Sequence, residues 1–126
     1  ALPQNAPWHT AALQLAEDWE AHPELPTLET GLCQRYVTQV RVVHTTEAEF
    51  AHHTGYCPRL EGGCSTMGGC PGTSCVTGSV LITGGGHRIT VRHEMAHVLT
   101  ACTTGAFDSG HTDKRVWGAA GIVWQQ

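Results

Sequence analysis

The sequence predicts an α+β domain: a short mixed sheet, a helix carrying a pair of histidines, helices at the N- and C-terminal ends, and disulfide staples. Three observations predict it. Apolar residues recur at helical spacing in residues 7–21, 90–100 and 112–124. β-Branched residues gather in residues 32–43 and 76–82. Six cysteines stand in a chain of only 126 residues, which suits a small domain held together by cross-links. That length predicts one domain spanning residues 1–126.

The first element is an amphipathic helix over residues 7–21. Pro7 suits its first turn. Trp8, Ala12, Leu15 and Trp19 make its buried stripe, and Pro23 and Pro26 stop it. Residues 32–43 then read as a long strand, rich in β-branched residues that partly alternate. Thr46-Glu47-Ala48-Glu49 has a capping-box pattern and opens a short helix ending near His53. His52 and His53 are adjacent, so on a helix they point different ways and read as surface residues.

Residues 55–75 hold four cysteines, six glycines and two prolines, with no periodicity. Such a segment cannot build its own core and needs cross-links. It reads as a wall of a cleft or as a stapled surface loop. Val76 to Ile82 is a strand, with residues 78–83 the expected edge for pairing with an extended peptide. Gly84-Gly85-Gly86 follows, without the Lys-Ser/Thr of a phosphate loop. His87 has two readings, an oxyanion donor or an exposed loop residue. The last helix covers residues 112–124, with Thr112 or Asp113 as cap and Val116, Ala120 and Val123 on one stripe.

Composition excludes several function classes. Charged residues make up 14% of the chain and the formal net charge is −4, so no basic face is offered to nucleic acid. No apolar run is long enough to span a membrane. The cysteines form no C-x-x-C pair, which argues against a zinc ribbon or a thioredoxin-type site. Their even number predicts three disulfides and an oxidising compartment. Ala1-Leu2-Pro3-Gln4 reads as the start of a processed, secreted chain.

The chemistry lies in His93-Glu94-Met95-Ala96-His97, an H-E-x-x-H motif. Positions i and i+4 share one face of a helix, one turn apart, so both imidazoles can reach one ion. Glu94 sits beside the ion rather than on it, where a general base belongs. Thr90 is the expected N-cap, and Val91, Met95, Val98 and Leu99 form the stripe that buries the helix. The bland alternative is a buried helix carrying two hydrogen-bonded histidines.

A catalytic zinc site takes a third protein ligand and leaves the fourth position open. The segment Thr103 to Asp113 offers one histidine and two aspartates, with Gly105 and Gly110 to turn the chain back. His111 is the first choice, Asp108 the second and Asp113 the third. The window Val98-Leu99-Thr100-Ala101-Cys102 lacks the glycine that metzincins place after their second histidine.

Val91 to Thr100, then Gly110-His111 and Trp117, resembles the core of the SprT-like zinc peptidases, over residues 90–117. The resemblance implies a small zincin-like domain with His93, His97 and His111 as Zn2+ ligands and Glu94 as base. The family's Gly-Pro after the third histidine is replaced here by Thr112-Asp113. A second, partial resemblance links Gly105-Ala106-Phe107-Asp108 to the G-T-x-D element of aspzincins, secreted and disulfide-bonded enzymes. It implies Asp108 as the third ligand instead.

The expected function is therefore a secreted, monomeric zinc endopeptidase acting on peptide or protein substrates, with no nucleic acid or membrane partner. Trp117 is expected to pack under the metal. The alternatives are an amidase acting on cell-wall peptides and a binding module whose zinc is structural.

Overall fold

In the computed structural model the described residues are 6–28, 33, 37, 40–44, 63–69, 76–83, 88–108, 110–118 and 122–123. They form helix α1 (Ala6–Glu20), strands β1 (Arg41–His44), β2 (Gly63–Gly69) and β3 (Val76–Thr83), helix α2 (Arg88–Thr104) and the single turn α3 (Lys114–Trp117).

Helix α1 forms where the apolar spacing puts it. Ala12, Leu15 and Trp19 are buried on one side, and Trp8 packs against the same core. Its end is fixed by side chains as well as by proline. The Trp19 indole donates to the Pro26 carbonyl at 2.7 Å, and the Glu20 carboxylate accepts from the Leu28 amide. Helix α2 lies against α1. Its residues Val91, Met95, Ala96, Val98 and Leu99 are buried, and Val116, Trp117, Ile122 and Val123 close the same core from the C-terminal side.

Arg92 is wholly enclosed on α2. Its guanidinium lies 2.9 Å from the Asp18 carboxylate of α1 and donates to the Ile122 carbonyl at 2.6 Å. A buried cation needs such partners, so Arg92 fixes three separate segments to one another. A disulfide joins Cys33 to Cys102 near the end of α2.

The expected fold class needs correcting. Where side chains are described, the packing is mostly helix on helix, and the strands contribute only Val42 to the described core. Among the described residues of the long strand expected over 32–43, Cys33 and Val37 are helical, and the extended strand runs over Arg41–His44. Strand propensity reflects fit to a half-buried pleated surface. Cys33 is instead fully buried and bonded to α2, and that tertiary demand overrides local preference. Among the described residues of the C-terminal helix expected over 112–124, only Lys114–Trp117 are helical. One disulfide is described where three were expected, and no free cysteine is found among the described residues.

The backbone of the three strands pairs in the order β1-β3-β2, parallel between β1 and β3 and antiparallel between β2 and β3. β3 is therefore the middle strand. Residues 78–83, expected to offer a free edge, are paired on both sides over most of their length. The expected helix near residues 46–53, the residues His52, His53 and His87, the triple glycine at 84–86, and the bonding of Cys57, Cys64, Cys70 and Cys75 lie outside the described residues. Among the described residues, no helix is long and apolar enough to cross a membrane.

Candidate metal centre

Helix α2 carries His93 and His97 one turn apart. The opposite side of the helix, at Val91, Met95 and Val98, is held in the core. The two histidines therefore sit at the core's margin, His93 half-buried and His97 buried. The N-terminus of α2 lies at Arg88, so Thr90 stands inside the first turn rather than capping it.

The chain turns back just after α2. Gly105 takes φ +89°, a left-handed conformation suited to glycine at a helix end. Its amide donates to the Ala101 carbonyl at 2.8 Å. The following loop presents the Phe107 carbonyl 2.6 Å from His97 Nδ1. A carbonyl only accepts, so Nδ1 carries the proton and His97 Nε2 points its lone pair the other way. Asp108 and His111 both adopt left-handed backbone, at φ 54° and 55°. The His111 amide donates to the Asp108 carbonyl at 2.9 Å, closing a tight turn that aims the His111 ring at α2.

Three nitrogens meet there. Nε2 of His97 is 3.2 Å from Nε2 of His93 and 3.1 Å from Nε2 of His111. His111 Nε2 is 3.0 Å from His93 Nε2. Each neutral Nε2 is either one donor or one acceptor, so three mutual contacts cannot all be hydrogen bonds. Converging lone pairs call for a cation between them. Nitrogens about 2.0–2.1 Å from a tetrahedral ion stand about 3.3–3.4 Å apart. The observed triangle is close to that size, and the donor set fits a divalent metal. These three histidines can hold a metal ion, and among the described residues no further His, Cys, Asp or Glu belongs to the group.

The electrostatics agree with the geometry. Burial first, then the neighbouring His97 and His111, pushes the His93 imidazole down to about 4. Burial also lowers His97, against the opposing bond to Phe107. Both rings are thus held neutral, the form that ligates. Trp117 forms the floor of the site. It is buried, with its ring centroid 4.9, 4.6 and 4.5 Å from those of His93, His97 and His111.

The structure brings His93, His97 and His111 together. Glu94, adjacent to the first of them on α2, is half-buried. Asp108 is not in the group. Its carboxylate accepts from the Thr112 amide at 3.0 Å, the Thr112 hydroxyl at 2.8 Å, the Asp113 amide at 2.8 Å and the Trp117 indole at 2.8 Å. The backbone N–H groups of Thr112 and Asp113, first among these, hold its carboxyl well below the usual carboxylate range. Asp113 caps α3 through the Arg115 amide and pairs with the Arg115 guanidinium at 2.8 Å, which lowers its carboxyl too.

Sequence reasoning missed two contributors. The Phe107 carbonyl left no signal, because every residue has one. The sequence offers Asp108 as a third ligand or, failing that, as a partner for a histidine's other ring nitrogen; in the structure it is instead the acceptor that organises the loop. Its signal was an aspartate in a glycine-bounded turn with a threonine four residues on. Comparison of the chain with known protein families, with curated proteins and with solved structures finds no match.

Proposed function

We propose that the chain is a secreted zinc-dependent endopeptidase, akin to the SprT-like enzymes in its metal core. The observation that carries the reading is the convergence of three Nε2 atoms at 3.0–3.2 Å, with Glu94 next to the first of them. Three imidazoles suit Zn2+, and a three-ligand set is the pattern of catalytic rather than structural zinc. His111 is exposed and His93 half-buried, which supports solvent and substrate access on that side.

When bound, the ion supplies a polarised water and a Lewis-acid contact for a carbonyl oxygen. Glu94 accepts the proton of the attacking water and returns it to the leaving amine. His93, His97 and His111 hold the ion. The Phe107 carbonyl keeps the tautomer of His97, and Trp117 shuts water out beneath the rings. The disulfide between Cys33 and Cys102 supports an oxidising compartment.

The test uses oxidised protein, assayed for zinc by elemental analysis and for cleavage of casein with and without chelator. About one zinc per chain and chelator-sensitive cleavage are expected. Glu94→Gln should keep the zinc and lose roughly 10²–10⁴-fold in turnover, the worth of a general base. Zinc binding without cleavage of casein or of a cell-wall peptide would point to a structural ion. Near-normal turnover in Glu94→Gln would remove Glu94 from the mechanism.

A further inference from the structure

We propose that Asp108 is a positioning residue, whose carboxylate locks His111 and Trp117 into register with the two histidines of α2. It rests on the three histidines holding a metal and does not depend on hydrolysis.

The bonding is specific to this task. A carboxylate offers about four lone-pair positions, and Asp108 receives four donors. Oδ1 takes the amide and hydroxyl of Thr112, and Oδ2 takes the amide of Asp113 and the indole N–H of Trp117. Thr112 and Asp113 directly follow His111 in the chain, and the His111 amide itself binds the Asp108 carbonyl. His111 is therefore enclosed in a turn tied at both ends to one residue. Such closure is needed because His111 is exposed and held in left-handed backbone, a conformation that costs a non-glycine residue free energy. The same carboxylate fixes the indole that lies within 4.9 Å of all three imidazoles. One anion thus places both the loop ligand and the floor, while α2 places the other two ligands without its help.

Asp108→Asn is nearly isosteric and exposes the difference. An amide keeps one acceptor oxygen and turns an NH2 group towards donors that need an acceptor. The probe is Co2+ titrated into metal-free oxidised protein, followed by visible absorption, with far-UV circular dichroism as the fold control. Four-coordinate Co2+ absorbs strongly in the visible range and six-coordinate Co2+ weakly, so the spectrum reports whether His111 is in place. In the wild type we expect a strong band. In Asp108→Asn we expect roughly 10–100-fold weaker binding, the usual effect of losing an outer-sphere partner. Its band should be weak and its helical signal unchanged. Equal affinity and an equal band in Asp108→Asn would overturn the proposal while leaving the metal centre intact. No Co2+ uptake by the wild type would sink the metal centre and this proposal together. Should Asp108→Asn fail to fold, Thr112→Val removes only one of the four donors. A several-fold loss of affinity there supports the proposal, and no loss overturns it.

Discussion

His93 shows how one residue links packing to acid sensitivity. Its imidazole is pushed down to about 4 by burial and by its two histidine neighbours, against about 6.5 in an unfolded chain. Between those values the unfolded state takes up a proton that the folded state refuses. Without metal, stability is therefore complete above about pH 6.5 and falls as pH drops towards 4. Allowing for solvent screening of a half-buried ring, the loss is about 1–2 kcal/mol. Thermal melts of chelated protein should fall over this window, and His93→Gln should flatten the fall. A melting temperature independent of pH from 6.5 to 4.5 in the wild type would contradict the buried neutral ring. Asp108 adds its own dependence at lower pH. Its carboxyl is lowered, so the stability it gives is present above the ordinary carboxylate range and is lost below it. Of these residues, His93 and His97 were legible in the sequence, since helical period alone puts them on one face. His111 was legible as a loop imidazole near the right distance. The service of Asp108 was not, because it depends on left-handed backbone at residues 108 and 111 that no spacing rule announces.

The helices were easier to read than the strands. A helix declares itself through local period, and both α1 and α2 carry their apolar stripes into the core. The strand expected over residues 32–43 is realised only towards its C-terminal end, where its β-branched residues Val37, Thr38, Val40, Val42 and Val43 gather, with Arg41–His44 extended among the described residues. Cys33, at the other end, answers to a partner 69 residues away. The last helix is realised, among the described residues, at Lys114–Trp117: Gly118 ends α3, its amide bonded to the Lys114 carbonyl at 3.0 Å. The two faces of α2 should be separable by mutation. Leu99 is fully buried and lies two residues after His97, on the far side of the helix. Leu99→Ala should cost about 2–5 kcal/mol through the lost contacts and the cavity left behind. Denaturant melts would read this loss, while zinc stoichiometry under native conditions should stay at the wild-type value. Loss of zinc from a still-folded Leu99→Ala would mean that the two faces are not independent.

Among the described residues three closures can be named, and they act over different lengths of chain. Arg92 ties Asp18 to Ile122 through the core. The Cys33–Cys102 bridge spans a sequence separation of 69 residues. The histidine triad, with a metal bound, would close only the stretch from 93 to 111. Loop-closure entropy gives the bridge roughly 4 kcal/mol, because it restricts so much of the unfolded chain. A bound metal would act differently: it would stabilise by mass action, about 2.7 kcal/mol at a free concentration 100 times its dissociation constant. For a chain of this size that is a rise of roughly 10 °C in melting temperature. The bridge meets α2 at Cys102, but the hydrogen bonds that aim the ligands run within residues 97–117, so their geometry does not need it. The double variant Cys33→Ala/Cys102→Ala should therefore melt well below the wild type, yet gain nearly the same increment from zinc. Calorimetry of both proteins, with zinc and with chelator, measures the two increments directly. A much smaller increment in the double variant would show that the bridge, by holding the end of α2, also holds the ligands. The metal centre would then belong to the whole fold rather than to one helix and its returning loop.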